Sequence, residues 1–444
     1  MQVHRVIARE LGAWRRWVVF LTITLCLALP AHTQLQIEIT SGVTDPIPIA
    51  VVPFDRALLR TAGEDVAAIV QRDLESSGRF RAMARTQMAS MPHYARDVVA
   101  ANWRAAGTDY MVVGSALTLP DGQLAVEYEL VSALNGQVLG KQRFVGPPSA
   151  VRNAAHRVSD AVYERILGVQ GAFATRIAYV SVEGAPLTQK HQLIVADADG
   201  ENARVVLESR FPLMSPAWSP DGQWLAYVSF EGRRSSIYIQ HVRTGERSRV
   251  SARAGINGAP TFSPDGKRLA LTLGGSSGNP DIYVLNLASQ ELLRITDDPA
   301  IDTEAVWSAD GQSLVFMSDR AGGPQIYRVG LRAADRPKRL TFGSTYNARP
   351  RLSPDGTTLA MVTLDGSNYR IAVQDLASGS VRVLSKGRQD ESPSFAPNGA
   401  TLIYAGQDVG RGVLATVSVD GLTGQKLQSD RAQVREPVWG PFAR

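Results

Sequence analysis

The sequence predicts an α+β protein of two domains: a small N-terminal α/β domain followed by a six-bladed β-propeller closed by the C-terminal strand. Three observations carry that reading. A short turn motif recurs five times at spacings of 44, 45, 45 and 43 residues, each copy is followed by β-rich runs, and residues 34–168 lack this period. A period of this length fits a propeller blade of four short strands better than the roughly 33 or 34 residues of ankyrin or TPR repeats. The 444 residues are 44% apolar and 20% charged, which supplies substantial cores and lies far from the composition of disordered chains.

The first 33 residues read as a cleaved secretory signal. Arg15-Arg16 precede an apolar run from Trp17 to Leu29 and then Pro30-Ala31-His32-Thr33, the basic, hydrophobic and cleavage regions in order. The run is too short to span a bilayer comfortably. Its Cys26 is the only cysteine, so the mature chain is expected to hold no disulfide, no Cys-ligated metal and no Cys nucleophile. Leu25 stands where a lipoprotein site wants a small residue, and the residues around the Arg pair match a twin-Arg signal only in part. Four Arg against Glu10 place +3 of the formal +5 charge in this leader, and the near-neutral remainder speaks against a nucleic-acid-binding stripe. No later run of 18 or more apolar residues occurs, so the mature chain is expected to be exported without a membrane span. It is expected to be a monomer.

Residues 34–46 form a separate N-terminal segment in which Leu35, Ile37 and Ile39 alternate with polar residues, a short strand without a partner. The α/β domain covers 47–168. Ile47–Val52 is an apolar strand ended by Pro53. Thr61-Ala-Gly-Glu64 reads as a capping box opening a helix that runs to about Ser77, where Gly78 stops it. A second helix is predicted over Asp97–Ala106, and a three-strand meander over 110–119, 124–132 and 137–145, turned at Asp121-Gly122 and Asn135-Gly136. The last helix, about 149–167, presents Val151, Ala155, Val158, Val162 and Ile166 on one face, which covers the sheet. Residues 168–174 are the linker.

From residue 174 to 444 the repeat takes over. Its turns are Trp218-Ser-Pro-Asp-Gly222, Phe262-Ser-Pro-Asp-Gly266, Trp307-Ser-Ala-Asp-Gly311, Leu352-Ser-Pro-Asp-Gly356 and Phe395-Ala-Pro-Asn-Gly399. Pro and Gly at these places suit a type I turn, and the Asp is expected to accept local backbone N–H bonds rather than to act catalytically. Six units are visible, but the first lacks its opening strand. Pro437-Val-Trp439 supplies it, because Trp439 lies 44 residues after Phe395. Joining both ends of the chain in one blade removes two exposed sheet edges.

A search for chemistry finds little. The His residues at 4, 32, 93, 156, 191 and 241 show no ligand spacing, and neither a G-x-S-x-G elbow nor a Walker A loop occurs. No cofactor is expected. Gly274-Gly-Ser-Ser-Gly278 and Gly322-Gly323 read as hairpin loops, and Arg79, Arg81 and Arg85 as a solvated face. The residues just before each opening strand are more informative: Met214-Ser215, Asn257-Gly258-Ala259, Thr303-Glu304, Asn347-Ala348-Arg349, Asp390-Glu391-Ser392 and Arg435-Glu436. Ring geometry gathers them around one mouth of the central channel, where loops on a rigid scaffold tend to carry function. Acidic members could also hold a cation there.

With its leader, α/β domain and the wording of Trp218–Ser229, the chain resembles the TolB family, the periplasmic propellers of the Tol-Pal envelope system of Gram-negative bacteria. Pro212–Gly222, Asn257-Gly-Ala-Pro260 and Gly171-Ala-Phe173 with Arg176–Val180 carry the likeness, which covers the mature chain. The resemblance implies a non-enzymatic coupling protein that supports outer-membrane integrity and constriction at division. It implies a site for the peptidoglycan-associated lipoprotein at Met214, Asn257, Gly258, Ala259, Thr303, Glu304, Asn347, Arg349, Asp390, Glu391 and Arg435. It also implies a TolA site at Gln34, Leu35, Gln36, Ile37, Glu38 and Ile39, with other outer-membrane proteins as further partners. Ile256 departs from a family pattern that can carry a polar residue there. The rival readings are a periplasmic propeller hydrolase, for which no convergent acid-base set is found, and a sugar-binding module.

Overall fold

The computed structural model describes residues 45–57, 64–185, 188–275, 278–332, 334–408, 410–427 and 433–443. The leader, the 34–39 segment and Thr61 lie outside the described residues.

The N-terminal domain is a five-stranded sheet in the order β2-β1-β3-β4-β5, made of β1 (Ile47–Val51), β2 (Phe80–Ala82), β3 (Tyr110–Thr118), β4 (Leu124–Ser132) and β5 (Val138–Gly146). β2 runs parallel to β1 and was not legible in the sequence, because three residues are too few for a period. One face is covered by α1 (Val66–Ser76) and α3 (Val151–Leu167), whose Val151, Ala155, Val158 and Val162 are buried, as the helical spacing predicts. The other face is closed by the segment that carries Trp103 and Met88.

Two helix boundaries differ from expectation. α1 is capped by Asp65, whose Oδ1 accepts the Ala68 N–H at 3.1 Å, while Glu64 turns instead to Arg152. An extended Asp directly before the helix outcompetes a cap placed further upstream. The second helix, α2, spans only Ala100–Ala105, because Ala95–Asp97 form a separate 3-10 turn and Val98 is extended.

The propeller has six four-stranded antiparallel sheets. Blade 1 joins Val434–Trp439 to Arg176–Glu183, Lys190–Asp197 and Arg204–Ser209, with Trp439 opposite Ile177 and Val434 opposite Ser181. The innermost strands of blades 2–6 are Leu213–Trp218, Asn257–Phe262, Asp302–Trp307, Asn347–Leu352 and Glu391–Phe395. The ring is therefore closed by the C-terminal strand.

Each repeated turn holds itself. In Ser263-Pro-Asp-Gly266 the buried Ser263 hydroxyl donates to Asp265 Oδ1 and accepts from Arg268 N at 3.0 Å, while Lys267 N donates to Asp265. Ser219, Ser308 and Ser353 repeat this with Asp221, Asp310 and Asp355. Gly266 closes the turn at φ 70°, where a side chain would be strained. The aromatic at the strand end ties blade to blade: Trp307 Nε1 donates to Thr261 O at 3.1 Å and Trp218 Nε1 to Val438 O at 3.3 Å, while Trp439 Nε1 donates to Thr175 Oγ1 at 2.8 Å within blade 1.

The N-terminal domain packs on the propeller face that carries these turns. Arg79 reaches Asp420 at 2.6 Å, Asn398 Nδ2 donates to Gln170 O at 3.0 Å, and the Gly78 backbone lies so close to Thr423 that a Cβ would sit 1.9 Å from its methyl. Arg79 is thus part of the domain interface, and Arg85 pairs with Asp65 at 2.7 Å, so two of the three arginines read as a solvated face are engaged.

Candidate functional site

The innermost strand of every blade carries a register shift two to four residues from its start. At this bulge stands a non-glycine residue with positive φ: Ser215 (51°), Ala259 (43°), Glu304 (57°), Arg349 (51°), Ser392 (55°) and Glu436 (51°). Such residues are uncommon, and a set recurring once per blade is a built feature rather than an accident. Pro follows five of the six, the exception being Glu304-Ala305. Within a sheet proline is confined to edge strands and bulges, and the innermost strand is the edge of its blade, so a proline recurring at one place of the repeat marked this position in the sequence.

The bulge sorts the mouth residues into layers. Two places before it, Asn257, Asp302, Asn347 and Asp390 are buried and hold the preceding loop. Asn257 accepts from Ser251 Oγ at 2.7 Å and Arg253 N at 3.0 Å and donates to Arg253 O. Asp302 takes Arg320 at 2.8 Å, Asn347 donates to Gln325 at 3.0 Å, and Asp390 accepts from Gly387 N at 2.9 Å. Burial pushes the Asp302 and Asp390 carboxyls above the usual range. Asn257, Asn347 and Asp390 therefore spend their side chains on the rim's shape. One place before the bulge, Met214 is exposed, and Gly258, Thr303, Glu391 and Arg435 are partly so.

The positive-φ residues line the channel itself. Glu436 accepts the Ser215 N–H and Glu304 accepts the Arg349 N–H at 3.0 Å, so each glutamate caps the next blade's bulge. Arg349 donates to Ser392 Oγ at 2.7 Å and pairs with Glu304 at 3.6 Å and Glu391 at 3.8 Å. Burial raises the Glu436 carboxyl above its ordinary value. Ile256, the departure from the family pattern, is exposed beside this mouth.

A second cluster, invisible in the sequence, lies between the domains on the opposite face. Buried His156 on α3 places Nδ1 2.7 Å from Asp73 Oδ2 on α1, and Ser159 donates to the same oxygen at 2.6 Å. From blade 1, Asp199 lies 3.8 Å from His156 Nε2 and accepts from Arg152, which also pairs with Glu64 at 2.5 Å and Asp197 at 3.5 Å. Burial pulls the His156 pKa down, but the Asp73 charge and hydrogen bond outweigh it and raise it to about 9. Asp73, His156 and Asp199 have ligand atoms within 4.8 Å of one another, yet a charged imidazole and the Arg152 guanidinium already supply the positive charge that a metal would bring.

Fold and site together define a two-domain propeller scaffold, with a strained polar mouth on one face and a second domain clamped to the other. Its sequence places it among known proteins. Residues 163–443 match the TolB beta propeller domain and residues 35–139 the TolB amino-terminal domain. The chain is 42% identical over 416 residues to the Tol-Pal system protein TolB of Bordetella pertussis, covering 94% of this chain and 93% of that one. It is 45% identical over 432 residues to that of Xanthomonas oryzae pv. oryzae, covering 96% and 98%. The crystal structure of TolB from Acinetobacter baumannii superposes with a TM-score of 0.84 at 41% identity, covering 92% of this chain and all of that one. The chain belongs to the TolB family, and as such is a non-enzymatic component of the Tol-Pal system.

Proposed function

We propose that this chain is a periplasmic coupling protein that holds the peptidoglycan-associated lipoprotein at the propeller mouth and TolA through residues 34–39, serving outer-membrane integrity and constriction at division. In this reading residues 1–33 are removed on export and 34–46 form the TolA-binding segment ahead of the α/β domain. The observation that carries the mouth assignment is the ring of six positive-φ residues around one channel opening. Backbone strain of about 1–3 kcal/mol per residue persists where the surroundings over-determine it and clusters at sites of recognition. The mouth-facing residues are Met214, Gly258, Thr303, Glu391 and Arg435, lining the rim above Ala259, Glu304 and Arg349, with Asn257, Asn347 and Asp390 setting the loops. An alternating segment such as Gln34–Ile39 suits addition to a partner's sheet edge, the main chain giving affinity and Leu35, Ile37 and Ile39 filling pockets.

The test is calorimetry with the purified lipoprotein and TolA. Deleting residues 34–39 abolishes TolA binding and leaves the lipoprotein bound. Met214→Asp weakens lipoprotein binding with an unchanged melting temperature, because this side chain is 39% exposed. Unchanged TolA binding by the deletion, or unchanged lipoprotein binding by the substitution, refutes the corresponding half.

A further inference from the structure

Beneath the ring of positive-φ residues, the channel holds a cavity of about 190 Å³. Its second layer consists of the residues two places further along each innermost strand: Ala217, Thr261, Val306, Arg351, Ser394 and Val438. Five of the six are uncharged. Arg351 alone brings a charge to this layer.

The contrast with Arg349, one layer above, is informative. Arg349 has Glu304, Glu391 and Ser392 around it. Arg351 donates Nη1 to the carbonyl of its own neighbour Pro350 at 2.8 Å, and no carboxylate among the described residues forms an ion pair with it. Burial, helped by the Arg349 charge one layer above, pulls its pKa down against the attraction of Glu304 and Glu436, so the two glutamates compensate it only in part. A guanidinium stays charged and offers five N–H donors in a planar fork, so most of that fork faces the cavity unspent. Removing a cation from water without a partner is costly, and such a group is retained where a ligand supplies the missing charge.

We infer that the channel cavity is a carboxylate-binding site with the Arg351 guanidinium as its counter-ion. The fork matches a carboxylate in a bidentate arrangement. Glu304 and Glu436 also line the cavity and attract Arg351 through space, but each is bonded to a backbone N–H of the next blade and neither forms an ion pair with the fork, which leaves its donors open to a ligand. The volume admits an Asp or Glu side chain or a small free carboxylate. This deepens the mouth reading by giving its partner a chemistry: an acidic side chain reaching down past the rim.

The experiment uses the full chain without any partner protein, so its outcome is independent of lipoprotein binding. Calorimetry compares the peptide Ac-Gly-Gly-Glu-Gly-Gly-amide with its Gln analogue and with free glutarate, on the wild type, Arg351→Met and Arg351→Lys. On the wild type the Glu peptide binds at least about tenfold more tightly than the Gln peptide, the preference disappears in Arg351→Met, and Arg351→Lys restores part of it. A melting temperature of Arg351→Met equal to or above that of the wild type shows that the variant folds and that the cation is kept for binding. Glutarate binding without peptide binding keeps the carboxylate site and makes its occupant a free anion. Equal binding of the Glu and Gln peptides with no glutarate binding overturns the inference, as does a preference that survives in Arg351→Met.

Discussion

Stability should fall as pH rises through the range in which His156 loses its proton. This imidazole is 1% exposed and sits between Asp73 and Asp199, so its proton is held to about pH 9 in the folded state against 6.5 in the open chain. A folded-state pKa raised above the unfolded one means that the stabilisation is complete below about pH 6.5 and is lost as pH climbs toward 9. About 2.5 pKa units correspond to roughly 3 kcal/mol, and at about 2 °C per kcal/mol in a chain of this size to a fall of roughly 6 °C in melting temperature. The comparison is with His156→Gln, which keeps a hydrogen-bonding side chain but cannot titrate. Calorimetric melts at pH 6, 7, 8 and 9.5 should show the wild type descending, with the variant less stable at pH 6 and flat across the window. Asp160, whose carboxyl burial raises to about 6, does not blur the result. Its ionisation costs stability as pH rises from 3.8 through about 6 and is nearly complete by about pH 7, so it adds only a small fall at the low end of the series, common to both proteins. Parallel curves for the two proteins would refute the reasoning.

Three further outcomes follow from the propeller. Trp439→Ala removes a side chain that packs on the blade 1 and blade 6 strands and leaves the buried Thr175 hydroxyl without its indole donor. It should lower stability by about 3 kcal/mol, and deleting residues 430–444 should destabilise the whole ring, both read by thermal unfolding. Wild-type unfolding of the truncated chain would contradict terminal closure. Ser263→Ala removes the hydroxyl's bonds to Asp265 and Arg268 N from one repeated turn and should cost about 1–2 kcal/mol without affecting TolA binding, checked by denaturant unfolding and calorimetry.

Much of the mouth was legible before any coordinates, because a repeat converts sequence position into spatial position. The period placed Ser215, Ala259, Glu304, Arg349, Ser392 and Glu436 on one ring, and the structure shows them there. What the period could not say is which way each side chain faces. Asn257, Asn347 and Asp390 read as polar groups offered to a partner, yet the bulge turns them inward onto their own loops. The recurring proline after the bulge was the available signal. The capping of α1 by Asp65 rather than from Thr61 to Glu64 turned on a competition between two adjacent polar groups that composition cannot rank.

The sequence by itself determined the propeller, its six units and the sharing of the last blade between both ends, since each follows from local turn chemistry repeated at a fixed interval. Only the tertiary structure decided the cluster of Asp73, His156, Arg152 and Asp199 and the placing of Arg351 in the channel without an ion-pair partner among the described residues. Those depend on which groups meet across a domain interface or a closed ring. The charge state of a buried side chain is set by neighbours dozens of residues away, and no local pattern records them.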